Sequence, residues 1–117
     1  MQEKQRIIQE LVPGKQITLA HIIANPDEIL YKKLGLDPAV EYSKSAIGIL
    51  TVSPAETAII AGDIAIKSSG AQLGFVDRFS GTVILTGTYS EVDASLHAVV
   101  QYAEETLGFT VCKITKT

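Results

Sequence analysis

The stretch SAIGILTVSPAETAIIAGDIAIKSSG, residues 45–70, decides how the chain is read. A β-branched apolar run comes first, then a helix-start signal, then a helix that is apolar nearly all round. Between Ala58 and Ile66 the only charged residue is Asp63. A helix apolar on every side needs burial on more than one of them. A chain of 117 residues builds a single two-layer core with little left over. A second copy of the chain is then the natural cover for the outer side.

Working outward, three helix starts share one grammar. Asn25-Pro26-Asp27-Glu28, Ser53-Pro54-Ala55-Glu56 and Ser90-Glu91-Val92-Asp93 each offer a side-chain oxygen at the N-cap. Pro26 and Pro54 sit where the missing N–H costs nothing. Ser53 and Glu56 have the spacing of a capping box. Gly35, Gly70 and Gly108 each follow a helical stretch, as left-handed caps do. The first helix, about 26–34, should turn Ile29, Leu30 and Leu34 inward. The third, about 90–107, carries Val92, Leu96, Val99, Val100, Ala103 and Leu107 along one face. His97, Gln101, Glu104 and Glu105 lie on its other face.

Strands are expected at 17–24, 46–52, 72–79, 82–89 and 109–115, all rich in β-branched residues. Ser80-Gly81 reads as a tight hairpin turn. Asp37–Lys44 reads as an exposed loop. The order of elements predicts an α+β fold: a ferredoxin-like two-layer sandwich, mainly antiparallel, with helices on one face.

Composition excludes several classes of function. The net charge of −3, the absence of Trp and 6% aromatic residues argue against a nucleic-acid footprint. The single cysteine rules out a disulfide within the chain and favours a cytoplasmic address. The charged MQEKQRIIQE start has no signal-peptide apolar core. No apolar run approaches the ~20 residues that span a bilayer, so no membrane partner is expected.

The segment 46–75, with Ala61-Gly62-Asp63, Lys67 and Gly74-Phe75, resembles the core of the bacterial microcompartment shell domain. The run RIIQELVPGKQITLAHIIANPDEI narrows the likeness to the circularly permuted EutS/PduU type, in which the unit Ala20–Glu28 comes first. DRFSG, Asp77–Gly81, belongs to the same likeness. The resemblance implies cyclic homohexamers, or a related helical assembly, that tile into a shell with other shell proteins and enclose enzymes. It implies no cofactor and no catalytic residue. Residues 15–117 would be one shell domain behind an N-terminal extension, 1–14.

The resemblance also implies roles for particular residues. Asp77, Arg78, Phe79, Ser80 and Gly81 would face the six-fold axis and line a pore, where rings of charge select by electrostatics and size. Without the resemblance, that segment is a plain turn with a solvated Asp-Arg pair. Phe79 is either a constriction or core. Asp63 and Lys67 would lie at the assembly edge; alone, Lys67 is a cation favoured near a helix C-terminus. Arg6, Ile7, Ile8, Gln9, Glu10, Leu11 and Val12 would be strands of a small axial β-barrel, closed without edges. From periodicity alone, Ile7, Ile8 and Leu11 mark one turn of an amphipathic helix. Ser45 and the loop Val40–Lys44 depart from the family pattern near the join between the permuted unit and the rest.

The remaining candidates point away from chemistry. His21 reads as a satisfied, partly buried histidine, and His97 as a helix-surface or interface residue. Cys112 has no metal-ligand spacing and reads as small, partly buried core. Gly70–Gly74 lacks the ending of a phosphate-binding loop. Together with the resemblance, these residues point to a structural shell subunit, not an enzyme. The rival is a small oligomeric ferredoxin-like regulator that binds a metabolite between subunits.

Overall fold

A computed structural model describes residues 15–117. Five strands form one sheet: β1 (Gln16–Ile23), β2 (Ala46–Ser53), β3 (Gln72–Asp77), β4 (Thr82–Gly87) and β5 (Thr115–Lys116). Their spatial order is β3-β4-β2-β1-β5. The β1–β2, β2–β4 and β3–β4 pairs are antiparallel, and β1–β5 is parallel. The helices are α1 (Ile29–Lys33), α2 (Thr57–Ser68) and α3 (Tyr89–Glu105).

The central strands alternate between two apolar layers, as a period of two requires. Ala46, Leu50, Val52, Val83 and Leu85 meet α2 and α3. Ile47 and Ile84 meet Tyr31 and Leu36 on the opposite face. The expectation of helices on one face is therefore corrected. The two long helices share a face, while α1 lies on the other because Tyr31 and Leu36 cover Ile47 and Ile84 there. Ile29, expected inward, is exposed, and Tyr31 is the buried residue of α1.

The loop after α1 is pinned by Tyr42, whose ring stacks on Tyr31 with centroids 5.5 Å apart. Tyr31 Oη donates to the Ser45 carbonyl at 2.6 Å. Burial first, and the nearby Glu28 second, hold the Tyr31 hydroxyl above its ordinary pKa.

α3 approaches β2 closely because Gly48 has no side chain. A Cβ there would lie 2.6 Å from Val92 Cγ1. Ser95, fully buried, was missed in the hydrophobic stripe. Its hydroxyl donates to the Ala65 carbonyl at 2.7 Å and meets Ser69 Oγ at 2.8 Å, tying α3 to the end of α2.

Several boundaries move. α1 starts at Ile29 rather than near Pro26; Asp27 Oδ1 accepts from the Ile29 amide at 3.1 Å. The capping box expected at Ser53 and Glu56 does not form. Ser53 is still paired with Gln16 at the end of β2, and α2 has no side-chain cap. α3 begins earlier than Ser90: Thr88 is its N-cap and forms a capping box with Glu91. Gly35 and Gly108 are left-handed, with φ +72° and +73°, but Gly70 is not, since α2 ends at an extended Ser69 and Gly70 packs on Glu91. The last strand shrinks to two residues with an isolated bridge at Thr110.

Helix caps contribute about 1 kcal/mol where they form. Thr88→Ala should lower unfolding free energy by about that much in a urea titration. Ser53→Ala should change it by less than about 0.5 kcal/mol, the usual surface range.

Candidate functional site

Two exposed features stand out, on different parts of the surface. The first is the β3–β4 connection. Asp77 pairs with Thr82, so the loop between them is Arg78–Gly81, four residues and not a two-residue turn at Ser80-Gly81. Asp77 organises it. Its Oδ1 accepts from the Phe79 amide at 2.9 Å, and its Oδ2 from Ser80 Oγ at 2.8 Å. Such a carboxylate turn is a common local device. The backbone hydrogen bond from Phe79, then that from the Ser80 side chain, hold the Asp77 carboxyl below its ordinary pKa.

Gly81 closes the loop with φ +78°. Its carbonyl accepts from the Val52 amide at 2.8 Å, and an added Cβ would collide with the Val52 carbonyl. Only glycine suits both demands. Phe79 is 82% exposed, so it is not core. The Arg78 guanidinium lies 4.9 Å from its ring centroid. The loop thus presents a fixed carboxylate, a guanidinium and an aromatic ring at one tip.

The same end of the sheet receives the start of β1. Gln16 pairs with Ser53, next to the Val52 that binds Gly81. Across the order β4-β2-β1, two strand spacings separate the loop's strand from β1, about 10 Å. Residues 6–12, named as barrel strands, lie outside the described residues.

The second feature is the outer side of α2. The helix buries Ala58, Ala61, Gly62 and Ala65 and exposes Ile59, Ile60 and Ile66 at 55%, 48% and 42%. Asp63 and Lys67 stand on this outer side and pair with each other at 2.9 Å. Leu73 on β3 is exposed as well. The structure brings Asp63 and Lys67 together as an ion pair within α2.

Among the described residues, no group of three His, Cys, Asp or Glu side chains is arranged to hold a metal, and no helix is long and apolar enough to cross a membrane. His21 is satisfied, with Nδ1 2.6 Å from Thr115 Oγ1 and Nε2 2.9 Å from Thr117 Oγ1. His97 is on the α3 surface beside Asp93, and Cys112 is a half-buried free thiol.

Residues 46–115 match the family model described as "BMC domain". The chain belongs to the BMC-domain family. The match begins at Ala46, the first residue of β2, so β1 and α1 precede it. The chain is 56% identical over 112 residues to the bacterial microcompartment shell protein PduU of Salmonella typhimurium, covering 96% of this chain and 93% of that protein. It is 50% identical over 113 residues to the shell protein EutS of the same organism, covering 97% of each. Two solved structures of CutR are similar. A flat hexamer, 47% identical, superposes with a TM-score of 0.82 over 96% of this chain and 99% of that one. A screw form with 41.9 Å pitch, 45% identical, gives 0.78 over 90% and 100%. These relatives are structural shell proteins, which removes the ground for the metabolite-binding regulator.

The depressed Asp77 pKa gives a pH window. The ionised carboxylate that accepts the Phe79 and Ser80 hydrogen bonds is present above the ordinary value of 3.8 and is lost as pH falls through the lowered value. Carboxyl NMR titration should place the Asp77 midpoint below 3.8, and Ser80→Ala should move it upward. An unchanged midpoint in Ser80→Ala would show that the hydroxyl does not hold the carboxylate.

Proposed function

We propose that this protein is a structural shell subunit of a bacterial microcompartment, a tile in the cytoplasm rather than an enzyme. The observation that carries the reading is the outer side of α2. Three isoleucines stand exposed there, and no layer among the described residues covers them. Burying one such side chain is favourable by about 1.5–3 kcal/mol. Covering that side with further copies, or with other shell proteins, supplies what a single chain lacks.

In the assembly the loop Asp77–Gly81 faces the axis. Six copies would ring it with Asp77 carboxylates and Arg78 guanidinium groups, with Phe79 at the tip. Such rings select small metabolites by charge and size. Residues 6–12 would close as strands of an axial barrel over that opening. The emergence of β1 about 10 Å from the loop's strand supports this placement. The family match starting at β2, with β1 and α1 before it, supports a circularly permuted domain behind an extension of residues 1–14. Asp63 and Lys67 sit at the edge, where each can trade its partner in the same helix for one on a neighbour.

CutR forms both a flat hexamer and a screw. Heterologous contacts close into a ring at one rotation and run into a helix at another. Both assemblies are therefore expected forms for this chain.

Light scattering on the purified protein, followed by negative-stain imaging, tests the reading. The expected result is a six-subunit mass with six-fold rings, or helical filaments of the same packing. A dimer or trimer that never tiles would contradict it.

A further inference from the structure

The C-terminal residues are anchored in an uneven way. Thr110 is tied to the start of β1: its carbonyl accepts from the Ile17 amide and its amide donates to the Lys15 carbonyl, both at 2.9 Å. Pairing with β1 resumes at His21–Thr115 and Ile22–Lys116. The count from Gln16 to His21 equals the count from Thr110 to Thr115, so register is kept across the gap. Residues 111–114 nevertheless belong to no strand and pair with none.

Val111, Cys112 and Ile114 are half-buried against the core, and with His97, Val100 and Glu104 of α3 they line a shallow depression open to solvent. Lys113 points into solvent.

Residues 115–117 are each tied to the rest of the fold. The Thr117 amide donates to the Ile22 carbonyl, and the Ala24 amide to the Thr117 carbonyl, both at 2.9 Å. The Lys116 ammonium lies 5.6 Å from the Tyr89 ring centroid. Thr115 and Thr117 share one side of the strand, as residues two apart do. His21 sits opposite Thr115 and bridges both hydroxyls with its two ring nitrogens. In either neutral tautomer one nitrogen donates and the other accepts, and a rotating hydroxyl suits each.

We propose that residues 111–117 form a strap rooted at Thr110, which opens while the rest of the domain stays folded, and that His21 is the latch that keeps it closed. A closed strap covers the outer edge of β1. An open one leaves that edge bare, the kind of edge that pairs with another chain. The latch thus keeps β1 from pairing with a second copy. The strap lies within one chain, so its test is independent of the ring.

Cys112 is the sole cysteine of the chain and lies on the strap. Its labelling by a maleimide reports opening, and tryptic cleavage after Lys113 reports it independently. Both are measured on the assembled protein. In His21→Leu, which removes two hydrogen bonds, labelling should be faster by about tenfold or more. Thr117→Ala, which leaves the buried core untouched, should give a smaller increase. Cleavage after Lys67 in α2 should stay at the wild-type rate in both. Equal labelling in all three proteins would overturn the latch. So would an increase at Lys113 matched at Lys67, because that pattern reports global unfolding.

Discussion

The fold depends on one constraint: α2 must lie close against the sheet and against α3. It does so by turning its small residues inward. Ala58, Ala61, Gly62 and Ala65 are buried. A Cβ at Gly62 would stand 3.2 Å from Val76 Cγ2 on β3. Ser95 and Ser69 then clamp the C-terminal end of α2 to α3 through their hydroxyls. Small residues line this contact and Ile64 packs partly buried against the core, while Ile59, Ile60 and Ile66 face outward. The usual arrangement of a surface helix is inverted, and the inversion leaves an exposed apolar surface, the one on which the proposed assembly would rest. Large exposed apolar patches on soluble domains mark interaction sites.

A second constraint acts in the loop Arg78–Gly81. It is built from backbone constraints rather than from packing. Asp77 caps the turn, Gly81 takes the left-handed backbone, and the Val52–Gly81 hydrogen bond locks the loop to β2. The tip is therefore held in place although its side chains are exposed. A ring of such tips would present the same charges in every copy, which selection at an axis requires.

Much of this was legible in the sequence because period-two and period-3.6 patterns are strong signals. Strands β1 to β4 lie near their expected places, and the excess apolarity of α2 corresponds to three exposed isoleucines on its outer side. The cap errors have a local cause. Ser53-Pro54-Ala55-Glu56 has capping chemistry, but pairing with Gln16 keeps Ser53 in the strand. Thr88 and Ser90, two residues apart, carry the same capping chemistry, and the sequence alone does not choose between them. Tyr31 could not be placed from a five-residue helix in which Ile29 and Leu30 precede it and two lysines follow. Its partners, Ile47 and Tyr42, are distant in sequence. Ser95 interrupts an apolar stripe as a solvent residue would, and only the nearby end of α2 gives it a buried role. The roles proposed for residues 77–81, 63 and 67 would be properties of an assembly, which one chain's pattern does not encode.

The most direct test of the account is sedimentation velocity on a double variant, Ile59→Asp with Ile66→Asp, compared with the natural chain. Both positions are exposed in the single chain, so its fold should be retained, as judged by far-UV circular dichroism. The account predicts loss of the large assemblies, because two charges would have to be buried where apolar side chains are covered. A folded variant that assembles as the natural chain does would contradict it.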